Sequence, residues 1–512
     1  MPNRFVNKTI HMNKKITVLV STLLAAAAFV PAFADDTTTT ETTARTLYWK
    51  GSANDSWSDA NKWATDSSAT AGNATFSDGD SAVINKTSGD IYLSSNVSAG
   101  TISVATGTTQ TAVFLAVKDA DLSLTASKIT TDESTMLVFR TDDLKTLTVT
   151  GTTPTALSGN FVKSGTGTLD LSNTTFASGS NLTLSAGTTI ISGLSGKSPT
   201  AFLGNLSIGI NATAVVSSWM FMASGCAAQT VLVQGTLDLG TTGIVDFESG
   251  ESGKLVLEGG TIKGGVTGAY GRTGMSETGI FSAYNTTITV KETTNASEIQ
   301  SGIKLSNTSI LTLDTAENAT LVVSGKIENY LTFGIGGLVK TGAGTLVLSG
   351  DNSFGGTWKD STTGEEVSCG LTIQAGTVKV ESTTALGGGA VTVMKGATME
   401  IDVAAIKATG GVRFAEGSKL ALADTLFSGV TESVDVLLSK SLMFGTTTLT
   451  DGDVTATVSS YMTGATSNIK KWTYNASTGA LTAVVIPEPS AFGLLAGIGA
   501  LALAISRRRR KN

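Results

Sequence analysis

The sequence predicts an all-β fold, a β-solenoid of stacked coils, followed by a single C-terminal transmembrane helix. Its 512 residues include 58 glycines and only 6 prolines. Short alternating runs of Val, Leu and Ile separated by glycine are typical of many short strands joined by tight turns. Apolar pairs in the second half of the chain recur with a period of about 21 residues, a length typical of one solenoid coil. A tandem of β-sandwiches, the alternative fold, has no such register.

The period is clearest after residue 370, where two series of alternating apolar pairs interleave along the chain. The first series consists of Leu371/Ile373, Val391/Val393 and Val412/Phe414, and the second of Val378/Val380, Met399/Ile401 and Leu420/Leu422. Between successive members stand the glycines Gly376, Gly396 and Gly417. One coil of about 21 residues therefore holds two strands joined at a corner, where glycine tolerates a positive φ. The intervening side chains of Lys379, Glu400 and Arg413 are expected to point outward.

The first 34 residues have the layout of a secretory signal peptide. Two lysines precede an apolar run over residues 16–30, and Ala32 and Ala34 form a small-x-small cleavage site. We expect cleavage after Ala34 and export of the chain. Residues 35–45 are rich in threonine and have no apolar period, so we expect them to form a disordered leader.

A tryptophan-rich segment, residues 46–85, follows the leader. It contains Trp49, Trp57, Trp63 and Phe76. Indole faces suit stacking on sugar rings, so one interpretation is a glycan-binding platform. We favour an apolar cap over the first coil, because a stack of coils has an open end that large apolar side chains must cover.

Two blocks repeat each other within the region expected to form the solenoid, residues 86–440. The first reads VKSGTGTLDLSN and the second VKTGAGTLVLSG, identical at eight of twelve positions. Each is followed by a related piece, LTLSAGT or LTIQAGT. These blocks, residues 161–192 and 337–393, resemble the autotransporter-associated β-strand repeat. The resemblance implies a right-handed parallel β-helix at an exported surface.

The second block differs from the first by an insertion. Residues 358–370 precede the strand of the next coil and carry Trp358, Asp360, Glu365 and Glu366. Insertions in solenoids project as loops, often on the binding face. We therefore treat these residues as a candidate binding loop for sugar or calcium, although a surface loop without a ligand is the interpretation we favour.

Two segments follow the solenoid. Residues 441–486 continue as less regular strands, in which Trp472 and Tyr474 are expected to close the C-terminal end. Residues 487–512 form a tail of a different kind, with short motifs rather than alternating strands.

The tail combines three features in a fixed order. It begins with Pro487, Glu488 and Pro489, continues with an uncharged run over 491–506, and ends in Arg507, Arg508, Arg509, Arg510 and Lys511. An apolar segment closed by arginines is a stop-transfer signal, because arginine stays on the cytoplasmic side. The run covers only about 24 Å as a helix, so basic side chains must extend to the interface to complete a span of about 30 Å. The tail resembles the PEP-CTERM sorting signal, which implies processing by an exosortase, whereas a plain membrane anchor is the alternative.

Composition excludes several kinds of function. The single histidine, His11, precedes the exported part, which removes histidine-based catalysis and nearly all zinc or copper sites. We therefore expect no catalytic residues, no cofactor and no metal site. The formal charge is −6 and becomes more negative without the signal peptide and the terminal basic block, which argues against nucleic-acid binding. Cys226 and Cys369, the two cysteines, either form a disulfide or remain buried thiols.

The sequence therefore predicts a non-enzymatic, exported protein of the cell envelope with a structural or adhesive role. It passes through the inner membrane and reaches the cell surface or the medium. Its expected partners are the membrane and an exosortase-like enzyme, and the repeat resemblance adds extracellular polysaccharide. The alternative is a β-helix lyase or glycosidase acting on polysaccharide through paired carboxylates or calcium. Outward acids such as Asp170, Asp238 and Glu258 form no evident cluster, which favours the structural role.

Overall fold

The computed structural model describes residues 44–69, 73–85, 90–104, 111–177, 179–191, 204–216, 219–221, 229–247, 253–265, 278–330, 334–359, 364–464, 468–486, 500–501, 503 and 506–508. Within these residues the chain is almost entirely β-structure, and most strands pair in parallel with their equivalents in the next coil. The predicted all-β parallel solenoid is confirmed.

Two parallel ladders of strands run along the stack and share the long strands Asn181–Ile191 and Leu206–Val216. The other strands of the first ladder are Asp90–Tyr92, Thr111–Val117, Thr135–Thr141, Asn160–Ser164, Thr230–Val233, Lys254–Leu257, Thr286–Val290, Ile310–Thr315, Gly337–Thr341, Leu371–Ile373, Val391–Val393, Val412–Phe414 and Leu442–Phe444. Those of the second ladder are Val97–Ser98, Leu122–Thr125, Thr146–Thr150, Thr168–Asp170, Thr236–Asp238, Thr261–Lys263, Ser297–Ile299, Thr320–Val323, Thr345–Leu348, Thr377–Val380, Thr398–Ile401, Lys419–Leu422 and Met462–Thr463. Stacking satisfies the backbone hydrogen bonds of each strand on both sides.

A third face of the solenoid is built in three parts. The N-terminal part consists of Thr46–Trp49, Trp63–Ala64, Ser81–Ile84, Thr101–Val104, Lys128–Thr131, Thr155–Ser158 and Thr174–Phe176. The middle part consists of Trp219–Phe221, Ile244–Phe247, Thr278–Ser282, Gly302–Leu305 and Ile327–Asn329. The C-terminal part consists of Ile406–Lys407, Ser433–Leu438, Gly452–Asp453, Ile469–Asn475 and Ala480–Val485.

The core lies between these faces, because alternate residues of each strand point inward. Inward side chains stack on those of the next coil. Phe414 lies over its register partner Phe444, with ring centroids 4.7 Å apart and planes 3° from parallel. Phe139 stacks on Phe161, which is two residues out of register on the next coil, at 6.2 Å. Most inward positions therefore stay apolar from coil to coil, which is the origin of the repeating sequence pairs.

The coil length expected from the sequence is correct only in part. Leu371 pairs with Val391, and Val391 with Val412, at the predicted spacings of 20 and 21. Elsewhere the coil is longer, since Leu182 pairs with Leu206 and Leu206 with Val231, at spacings of 24 and 25.

The glycine corners have the geometry that the sequence predicts. Gly376, Gly396 and Gly417 have φ of +68°, +82° and +80°. At Gly376 a β-carbon would overlap the carbonyl oxygen of Gly344. Glycine is therefore needed there both for the left-handed backbone and for close stacking on the preceding coil.

The C-terminal end of the stack is closed by a change to antiparallel pairing. Ala480–Val485 pairs antiparallel with both Ser433–Leu438 and Ile469–Asn475. Trp472 and Tyr474 are buried in this sheet, and the hydroxyl of Tyr474 donates to the Ser439 carbonyl oxygen at 2.8 Å. Three short elements complete this end: the strand Thr447–Thr448, the 3-10 helix Asp424–Phe427 and the α-helix Thr455–Ser459.

The two signals at the chain ends lie mostly beyond the described residues. Ala32 and Ala34 of the expected cleavage site fall outside them, as do Pro487, Glu488, Pro489, Arg509 and Arg510. Arg507 and Arg508 are described and helical. Among the residues that the structure describes, none belongs to a helix with both the length and the apolar character to cross a bilayer. The C-terminal span therefore stays a prediction.

Candidate functional site

Each repeat block contains a buried lysine held by backbone carbonyl groups. In the first block Lys163 Nζ donates to the carbonyl oxygens of Ser164, Gly165 and Ala186 at 2.8, 2.6 and 3.2 Å. In the second block Lys340 Nζ donates to the carbonyl oxygens of Thr341, Gly342 and Ala375 at 2.6, 2.8 and 3.3 Å. Both lysine side chains point inward from the first ladder and have no exposed surface. All three N–H donors of each ammonium group are thus occupied.

These two lysine cages join consecutive coils at the same corner. Two acceptors lie on the turn that follows each lysine, and the third lies on the next coil. Burial lowers the pKa of both lysines from 10.5 to about 8, and the nearby Asp314 opposes that shift at Lys340. An ammonium group with every donor used and no exposed surface is a structural element rather than a catalytic one. In the sequence, such a cage is marked by a strand lysine that is followed by one hydroxyl residue and then by a Gly-x-Gly turn.

The insertion in the second block forms an antiparallel hairpin of Gly356–Lys359 and Glu366–Cys369. Trp358 stands opposite Val367 and is half-buried, whereas Glu365 and Glu366 are exposed. Asp360 of the candidate binding loop falls outside the described residues. The described carboxylates of the hairpin do not converge on a point, and Glu366 pairs in register with Lys359. The described part of the hairpin therefore carries a half-buried indole and exposed charges.

Cys369 lies at the base of this hairpin as a buried free thiol. Burial raises the pKa of the Cys369 thiol, which keeps it protonated and unreactive at neutral pH. Cys226, its only candidate partner in the sequence, lies outside the described residues.

The tryptophan cluster at the N-terminal end is packed inward. Trp49, Trp57 and Trp63 are 0%, 2% and 0% exposed. Trp63 stands edge-on to both neighbours, with ring centroids at 5.1 and 4.7 Å, and Phe76 completes the group. Buried indoles leave no face for a sugar, so the geometry supports the apolar cap. Arg45, assigned from the sequence to the leader, pairs with Asp80 at 2.6 Å and so belongs with this cap.

A glycan-cleaving enzyme would need outward carboxylates, but several of those in this chain form separate ion pairs with lysines. Lys379 contacts Glu381 at 2.8 Å and Asp402 at 2.7 Å. Two of the outward acids singled out from the sequence follow the same pattern, with Asp238 bound to Lys263 at 3.3 Å and Glu258 to Lys291 at 3.8 Å. Across the described ranges, His, Cys, Asp and Glu side chains form no group of three suited to a metal ion.

The point where the chain leaves the fold toward the tail is well defined. The N–H of Val485 donates to the Glu432 carbonyl oxygen at 2.9 Å, and the N–H of Ile486 donates to that of Asn468 at 2.7 Å. The backbone is therefore held by the C-terminal sheet up to the residue that precedes Pro487.

Comparison with protein families assigns names to the two motifs. A family model described as Passenger-associated-transport-repeat matches residues 161–193 and 338–380, the same two blocks that the sequence analysis identified. A model described as PEP-CTERM protein-sorting motif matches residues 485–510. Comparisons with curated proteins and with solved structures gave no match. The chain thus carries two passenger-associated-transport repeats within its solenoid and a PEP-CTERM sorting motif at the end of its last strand.

Proposed function

We propose that this protein is a non-enzymatic β-solenoid of the cell envelope with a structural or adhesive role. The sorting motif and the repeat-bearing solenoid together fit an exported surface protein. In this proposal the signal peptide directs export, the run over residues 491–506 spans the inner membrane, and an exosortase-like enzyme acts at Pro487, Glu488 and Pro489.

The observation that carries the proposal is the position of the sorting motif directly after a closed stack. The C-terminal sheet covers the end of the solenoid, and the motif begins at its final strand, at residue 485. A covered end prevents coil-to-coil association through open strand edges. A long parallel stack that is closed at its ends and attached through one of them is suited to display outward side chains at a surface.

The non-enzymatic role is supported by the chemistry of the charged side chains. The outward acids Asp238 and Asp402 are paired with lysines, and the two buried lysines donate only to carbonyl groups. A polysaccharide-cleaving enzyme needs carboxylates that face each other across a groove. The purified chain should therefore leave neutral and acidic glycans intact, and glycan cleavage that Glu365→Gln and Glu366→Gln together abolish would establish the enzyme instead.

The experiment that tests sorting is mass spectrometry of terminal peptides from the envelope and the medium. A C-terminus within residues 487–490 is expected, with Glu488→Ala retaining the full tail and Glu416→Ala, an exposed acid elsewhere, processed normally. An intact Asn512 in every fraction of the unchanged protein would show that the tail is only an anchor.

A further inference from the structure

The fold and the proposed membrane span are separated by very few residues. The C-terminal sheet holds the backbone through Ile486, and the uncharged run begins at residue 491. The five backbone steps from Ile486 to residue 491 extend at most about 18 Å. The headgroup layer on each side of the hydrocarbon core is about 5–8 Å thick. The exit point therefore lies no more than about 13 Å from the headgroup surface when the run spans the bilayer.

The surface around the exit point combines exposed apolar and basic side chains. Ile486 is 52% exposed, and Ile469, which pairs with the final strand, is half-buried. Lys470 and Lys471 are exposed side by side where the register of that pairing shifts. Apolar side chains beside ammonium groups suit a headgroup layer, where the former meet the acyl boundary and the latter meet phosphate.

Acidic groups limit the electrostatic attraction at this surface. The pKa of the Asp453 carboxyl is lowered, mainly by hydrogen bonds from Thr455 and also by the positive charge of Lys471 nearby. Glu432 is also exposed and adjoins the final strand through its backbone. Contact with lipid therefore depends mainly on the short tether, with the two lysines setting the orientation.

We propose that Ile469, Lys470, Lys471 and Ile486, here called the exit rim, rest on phospholipid headgroups while the tail is intact. This inference depends on the proposed function, because it requires the tail to span the membrane. It follows that the solenoid stands on the membrane by its C-terminal end. A processing enzyme then meets Pro487 at the bilayer surface, directly beneath the folded sheet.

The test uses the full chain carrying Cys226→Ser and Cys369→Ser, placed in phospholipid nanodiscs with about one quarter anionic lipid. A nitroxide label is attached through Ile486→Cys, Leu144→Cys or Leu501→Cys in separate samples. Leu144 is 96% exposed on a turn of the solenoid, and residue 501 reports insertion of the tail. We expect a water-soluble nickel relaxant to reach the label at 486 at least about threefold less than the label at 144.

A spacer variant provides the matched control. A flexible Gly/Ser spacer of about eight residues between Ile486 and Pro487 should restore access at 486 and leave the label at 501 protected. The same spacer inserted after Lys359, in the hairpin, should change neither label. If 501 is protected while 486 is as accessible as 144, the exit rim does not touch lipid, and the proposed function stands. If 501 is open to the aqueous relaxant, the proposed span itself is wrong.

Discussion

The two repeat blocks share one corner and differ at another. At the corner between the two ladders, Lys163 and Lys340 donate to equivalent carbonyl groups, at 2.8, 2.6 and 3.2 Å in the first block and 2.6, 2.8 and 3.3 Å in the second. After that corner the blocks diverge. Phe161 pairs with Leu182 on the next coil, whereas the chain after Leu338 forms the whole hairpin before it reaches the equivalent partner, Leu371.

This difference shows which part of a coil is constrained. The lysine corner is enclosed by three carbonyl groups and by the coil above it, so its backbone has no room for added residues. On the third face the second block accommodates a complete hairpin. The two strands of the hairpin start and end next to each other, with Gly356 opposite Cys369, so the chain re-enters the coil where it left. The lysine corner therefore fixes how consecutive coils stack, whereas the third face tolerates inserted residues.

The largest expected effect comes from removing the lysine of each cage. Lys163→Met and Lys340→Met should each lower the free energy of unfolding by roughly 3 kcal/mol, since three carbonyl groups lose their donor. Urea unfolding followed by circular dichroism measures the change. Lys379→Met, at an outward lysine, is the control and should cost less than about 1 kcal/mol. Equal values for the inward and outward lysines would contradict the role of the cages.

The pH dependence of the free energy of unfolding tests the same cages without a substitution. Both lysines have a folded-state pKa of about 8 against 10.5 in the unfolded chain. The unfolded chain therefore binds more protons between these values, and the free energy of unfolding should rise with pH through that window. The upper limit is roughly 3 kcal/mol for each lysine.

The matched measurement is the same pH series on the two Met variants. Each variant should lose about half of the rise that these lysines contribute, because each lysine contributes one of the two shifts. A stability that falls between pH 8 and 10.5 in the unchanged protein, and falls about half as much in each variant, would show that the carbonyl groups outweigh desolvation.

A smaller effect is expected at the glycines that follow the cages. Gly187 and Gly376 have positive φ, and a β-carbon on either would overlap a carbonyl oxygen of the preceding coil. Gly187→Ala and Gly376→Ala should each cost roughly 2 kcal/mol. Gly396→Ala is the control, because that glycine has φ of +82° but open space at its β-carbon. Thermal unfolding of the three variants separates the effect of a positive φ from that of a crowded β-carbon. An equal loss of stability in all three would show that crowding contributes nothing.

The smallest effect is expected from removing the hairpin. Deletion of residues 358–367 joins Thr357 to Ser368, which oppose each other across the hairpin. The free energy of unfolding should change by less than about 1 kcal/mol, because the first block closes its coil without an insertion. Deletion of the strand Thr174–Phe176, in which Thr174 and Phe176 are buried, is the comparison and should unfold the first block. A loss above about 3 kcal/mol on removing the hairpin would show that it supports the stack.

Several features of the fold are predictable from the sequence because they depend on local pattern. Alternating apolar pairs with glycine between them identify the two ladders after residue 370. The insertion is visible because Trp358 and its neighbours interrupt a repeat that is otherwise continuous. The Passenger-associated-transport-repeat and sorting-motif matches agree with the blocks and the tail identified from short stretches of residues.

Other features depend on contacts between coils and have weak local signals. The strands of the third face are often only two to four residues long, so their alternation is too brief to set a period. The antiparallel sheet formed by Ser433–Leu438, Ile469–Asn475 and Ala480–Val485 is likewise decided by which strands meet at the end of the stack. The lysine cages were missed because a charged residue in a strand is normally assigned to the outer face.

The sequence by itself determined that the chain builds stacked β-coils and that its end carries a sorting motif, because strand alternation, glycine corners and short linear motifs are properties of neighbouring residues. Only the tertiary structure decided where Lys163 and Lys340 point and how long each coil is. An ammonium group is stable inside the stack only when carbonyl groups from two coils surround it, and no segment of the chain contains that arrangement alone. The same holds for Ile486 at the start of the sorting motif, because the surrounding sheet holds its backbone in place.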